Sequence, residues 1–84
     1  MTPGKADLVI GICATDLTKY LMERDGLSMA GAYAKLFATE TFRLLKNPDS
    51  RLYLEDDAFL RRCLESELTA GKEAMYEFLD HNNS

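Results

Sequence analysis

TETFRLLKNPDSRLYLEDDAFL, from Thr39 to Leu60, decides the fold, because it holds the one clear break in an otherwise helical chain. Proline lacks an N–H and disfavours helix at the residue before it, so Asn47-Pro48 ends the preceding helix. Asn47 also suits the left-handed geometry common just past a helix end, and Pro48-Asp49-Ser50 is turn chemistry. Arg51 to Leu54 then reads as a short extended linker. Alternate residues of an extended segment share a face. Leu52 and Leu54 are therefore expected to anchor the linker in the core, with Arg51, Tyr53 and Glu55 on the other side. Asp56 is the expected N-cap of the next helix, and Asp57 suits the positive end of its dipole.

Upstream, helix one is expected from about Ala6 to Arg24. At 100° per residue Ala6, Val9, Ile10, Cys13, Leu17, Tyr20 and Leu21 share a stripe. Leu8, Ile12 and Met22 lie roughly opposite, along a side about 21 Å long at 1.5 Å per residue. Gly26 is the expected left-handed cap and Ser28 the N-cap of helix two. In helix two Tyr33, Phe37, Thr41 and Leu44 form a stripe flanked by Ala30, Ala34 and Leu45. Phe42 falls off it: either the helix bends near Thr39-Glu40-Thr41, or Phe42 meets something else.

Helix three is expected from Asp57 to about Leu79. Leu60, Leu64, Leu68, Met75 and Leu79 are its stripe, with Phe59, Cys63 and Phe78 beside it. Gly71 lies on that stripe and costs about 1 kcal/mol relative to alanine. One long helix is favoured over a break there with Thr69 capping a fourth helix. Asp57, Arg61 and Glu65 are expected to pair as an i, i+4 ladder on the outer face. The fold class expected is all-α: a three-helix bundle in a single domain over residues 1–84, with flexible ends at 1–5 and 81–84.

The stretch ETFRLLKNPDSRLYLEDDAFL also resembles a pattern in a family of small, uncharacterised all-helical bacterial proteins. There a helix ending in a Tyr/Phe-x-x-Leu unit meets a polar turn, then Leu-Tyr/Trp-Leu, then a capped helix. Gly26-Leu27-Ser28 and the Ala-rich helix after it fit the same pattern. The resemblance covers about residues 8–68. It implies a helical fold, no catalytic residues, and a place near toxin–antitoxin-like genes. The extension beyond Glu67-Leu68 departs from the pattern.

Eighty-four residues with 46% hydrophobic content suit one folded domain. A chain this short buries only about 60–65% of its unfolded surface. Its net charge is −4, whereas a nucleic-acid binder normally carries a basic face. Arg43, Lys46 and Arg51 flank the central turn, but residues 51–84 hold four basic and eight acidic side chains. Cys13 and Cys63 lack Cys-x-x-Cys spacing and read as reduced core thiols of a reducing compartment. Leu8 to Ala14 is apolar but far short of the ~20 residues of a membrane span. A cytoplasmic bacterial protein is therefore expected.

No constellation for catalysis stands out. His81, the one histidine, is the fourth residue from the C-terminal end. Glu55-Asp56-Asp57 is explained by helix capping without a metal, since a cation site needs further converging oxygens. The five glycines are scattered, not gathered in a phosphate loop. No catalytic residue, cofactor or metal is expected. The residues point first to a protein-interaction or small regulatory module. Its candidate interface is Leu8, Ile12, Met22 and Phe42, and its partner is another copy or the product of a neighbouring gene. The alternative is a small-molecule or nucleic-acid binding helical domain.

Overall fold

In the computed structural model, which describes residues 4–82, all regular structure is helical and no strand occurs among those residues. Helix α1 spans Lys5–Asp25, α2 Met29–Phe37, α3 Glu40–Lys46, α4 Asp57–Ala70 and α5 Lys72–Asn82. Two 3-10 turns, Pro48–Ser50 and Leu52–Leu54, connect α3 to α4. The two halves of the chain are helical hairpins: α2 packs along α1 and α5 along α4. The α1–α4 and α3–α4 contacts join them.

Local chemistry sets most helix ends. Gly26 takes the left-handed conformation (φ 65°, ψ 33°) that ends α1. The Ser28 hydroxyl accepts from the Gly31 N–H at 3.1 Å and opens α2. Asp56 does the same for α4, accepting from Phe59 N at 2.8 Å. At Asn47 the side chain accepts from Asp49 N at 3.1 Å, and Pro48 occupies the first position of the turn that follows.

The expected second helix is two helices. Thr39 leaves helical geometry (φ −90°, ψ 152°) and its hydroxyl accepts from Phe42 N at 3.1 Å, opening α3. Glu67, reaching across from α4, completes that start. Its carboxylate accepts from Glu40 N at 2.7 Å, Thr41 N at 2.8 Å and the Thr41 hydroxyl at 2.7 Å. Free N–H groups of a first turn need acceptors, and here a neighbouring helix supplies them. The break turns Phe42 inward.

The expected third helix also divides. Gly71 sits at φ 93°, ψ 168°, a region open essentially to glycine alone. With the helix broken there, α5 folds back on α4 and buries Met75 completely. The three expected helices thus become five among the described residues. The residues expected to be flexible at 1–3 and 83–84 lie outside the described ones; Lys5 opens α1, and His81 belongs to α5.

Leu17 and Leu21 of α1, Ala32 and Leu36 of α2, Phe42 and Leu45 of α3, and Leu60 and Leu64 of α4 form the core. Each fully buried leucine is worth about 1.5–3 kcal/mol over an exposed one. Leu52 joins this cluster, as expected. Leu54 does not: it is 66% exposed. The linker is not extended. Arg51 is left-handed (φ 58°, ψ 14°) and Leu52–Leu54 is a 3-10 turn, so residues two apart no longer share a face.

Candidate interaction surface

The outward side of α1 carries Leu8 at 60% and Ile12 at 68% exposure. They lie one helical turn apart on the face turned from the core, because Leu17 and Leu21 hold the opposite face inside. Gly11, between them, is exposed, and a Cβ placed there would meet nothing within 4 Å among the described residues. Its missing side chain answers no requirement among the described residues, yet glycine costs about 1 kcal/mol in a helix interior. Leu8, Gly11, Ile12, Thr15, Asp16, Lys19 and Asp57 border one shallow depression of about 440 Å³.

The apolar surface continues onto α2. Met29 is 64% exposed and Tyr33 and Phe37 are also exposed, at i, i+4 and i+8 on its outer face. Thr15 and Thr18 of α1 line a small apolar cleft with Met29 and Tyr33, so the two helix faces are adjacent. Tyr33 meets Phe37 edge-on with ring centroids 4.6 Å apart, and Phe37 meets Phe42 likewise at 4.7 Å. The Lys46 ammonium lies over Phe42 at 5.3 Å. Edge contacts of this kind are worth about 0.5–1.5 kcal/mol beyond area burial, so Tyr33 and Phe37 pack together as one continuous aromatic surface.

Four residues were expected at the interface and the structure divides them. Leu8 and Ile12 are exposed, whereas Met22 is half-buried and packs against the core. Phe42 is buried beneath Phe37, since the break at Thr39 rotates it inward. Of the expected anchors, Leu52 and the Asp56 cap hold their places and Leu54 faces out. Met29, Tyr33 and Phe37 were missed as surface residues because α2 is apolar nearly all round. The small residue Ala32, paired with Leu36 four positions on, marks the side on which α1 approaches. That pair is the signal a sequence reading can use.

Charged side chains that were expected to pair along one helix instead join two. Arg61 donates to Asp16 of α1 at 2.7 Å and 3.2 Å. Glu65 accepts from Arg24 Nε at 2.6 Å and from the Tyr20 hydroxyl at 3.3 Å. These contacts fix α4 along α1 on the side away from α2. At the opposite end Glu40 accepts from Arg43 and, at 2.6 Å, from the Tyr76 hydroxyl. Hydrogen bonds from Arg43 first, and then from Tyr76, hold the Glu40 carboxyl down at about 2.

A polar hollow of about 470 Å³ lies between Phe37, Glu40, Arg43, Lys46, Glu67 and Lys72. Its two carboxylates already serve Arg43 and the start of α3, so its cations do not converge on an empty anion site. Both cysteines are free and buried. Burial pushes the Cys63 thiol up to about 11, and burial with Asp57 and Asp16 nearby raises Cys13. Thiols held this way are poor nucleophiles at neutral pH. Among the described residues no helix is long and apolar enough to cross a membrane, and no group of three His, Cys, Asp or Glu side chains is placed to hold a metal. Comparison with protein families, curated proteins and solved structures gives no match.

Proposed function

We propose that the chain is a non-enzymatic protein-interaction module, a small regulatory subunit that docks through the outward face of α1 and the adjoining face of α2. The observation that carries this reading is the run of large exposed apolar side chains, Leu8, Ile12, Met29, Tyr33 and Phe37, on two adjacent helices. Exposed apolar patches of several hundred Å² mark interaction sites in monomeric proteins. The resemblance to small helical bacterial proteins near toxin–antitoxin-like genes points the same way. It favours a cytoplasmic, antitoxin-like partner of another copy or of a neighbouring gene's product.

Capture from the source cells with matched variants tests this reading. Ile12→Glu and Tyr33→Glu place charges on the face without touching the core, and Glu77→Lys, exposed on α5, is a control away from α1. Partners that require the face are retained by the wild type and by Glu77→Lys and lost by both face variants. If all four chains retain the same proteins, the face is not the docking surface.

A further inference from the structure

We propose that the occupant of the α1 face is a second copy of this chain, its α1 lying antiparallel across the first about a two-fold axis near residues 13 and 14. This deepens the reading above and rests on it.

The face has the form of a helix–helix seam. Lys5, Leu8, Ile12, Thr15 and Lys19 are alternately three and four residues apart, the spacing that keeps a stripe in contact with a facing helix. All five are exposed. Antiparallel pairing about that axis sets Ile12 beside Thr15 of the second copy, and Leu8 against the stem of its Lys19. Gly11 then has a use that the single chain does not give it: with no Cβ, it lets the facing helix approach closely.

Charge complementarity is the argument for a second copy. A two-fold interface must be self-complementary, so one patch has to carry both signs at matching distances from the axis. Lys5, Lys19, Glu23 and Asp57 make no ion pair with the described residues, whereas Arg24, Lys35, Arg43 and Arg61 all do. Lys5 and Glu23 are 18 residues apart, five full turns, and so project from the same side of α1. In the antiparallel pair Lys5 of each copy meets Glu23 of the other. Lys19, laid along Leu8 of the second copy, points its ammonium toward Asp57, which borders the same depression as Leu8 and Ile12. These four charges, all on or beside the α1 face, find opposite partners, twice over.

The area places this contact among weak, reversible associations. A seam about 27 Å long, widened by Met29 and Tyr33, buries on the order of 1,000 Å² in total, near the lower bound for a specific interface. A reversible dimer in the micromolar range is therefore expected.

Sedimentation equilibrium from about 5 µM to about 500 µM spans the range in which an interface of this size is populated. The wild type is expected to dimerise and Ile12→Glu to stay monomeric with an unchanged circular dichroism spectrum. Lys5→Glu and Glu23→Lys each set like charges opposite one another at both ends and weaken the dimer by about tenfold. The double variant exchanges the signs and restores the wild-type constant, without harm to α1, because the exchange also suits the helix dipole. A wild type that remains monomeric throughout overturns the second-copy proposal. The capture experiment then decides separately whether the face serves another protein. A dimer indifferent to Ile12→Glu, or singles that the double variant does not rescue, overturns the antiparallel seam.

Discussion

Arg51 shows how much one residue's backbone decides. At φ 58° it is the only non-glycine residue with positive φ among those described, and it joins two 3-10 turns back to back. In a 3-10 turn side chains repeat every three residues, not every two, which is why Leu52 is buried and Leu54 is exposed. The two leucines should therefore answer differently to truncation. Leu52→Ala removes buried methyl groups and is expected to cost about 2–5 kcal/mol, a large part of a small domain's stability. Leu54→Ala should stay within about 0.5 kcal/mol of the wild type, as surface changes do. Thermal melts of the two variants check this; equal losses would mean that both side chains reach the core.

Among elements, the helix ends were legible wherever one residue's own chemistry sets them: Gly26, Ser28, Pro48 and Asp56; Asn47, expected to be left-handed, is extended (φ −89°, ψ 109°), and Arg51 takes the left-handed turn instead. What was not legible depends on a partner far away in sequence. The start of α3 is completed by Glu67 of α4, and no local pattern announces a carboxylate 26 residues downstream. Arg61 and Glu65 stand at the spacing of a surface ladder, but α1 offers Asp16, Arg24 and Tyr20 at closer range. Gly71 was visible as an anomaly in a helical stripe, and its φ of 93° makes the break definite.

The Tyr76–Glu40–Arg43 group ties α5 to α3, and it titrates. Glu40 lies below its unfolded value, so its contribution is full above about pH 4.5 and is lost as pH falls toward about 2. Tyr76 is raised by its bond to Glu40, so its share persists below pH 10 and is lost in stronger alkali. Melting curves of the wild type should therefore fall more steeply between pH 5 and pH 2 than those of Glu40→Gln, which has no such carboxylate to protonate. Parallel curves would show that the group adds nothing to the fold.

At the scale of the whole molecule, the principal extents are 37 × 36 × 19 Å. A helix with its side chains is about 10–12 Å across, so the molecule is a slab two helices thick. A slab of this size cannot cover both sides of α1. The core takes Leu17 and Leu21, α4 takes Asp16 and Tyr20, and Leu8 and Ile12 are left to the outside. The second apolar side of α1 was readable from periodicity alone. Its extent was not, because Met22 turns toward the core and α2 contributes Met29 and Tyr33 in its place. α5 folds back, but onto α4 and α3, leaving that side open.

An amide NMR dilution series tests the antiparallel α1 seam most directly, because it reports which residues change surroundings as copies meet. Resonances of residues 5–23 and of Met29 and Tyr33 are expected to move with concentration, following one binding curve, while those of Phe59 to Leu64 and Lys72 to Asp80 stay fixed. Spectra that do not change up to the highest concentration, or changes confined to α4 and α5, would contradict it.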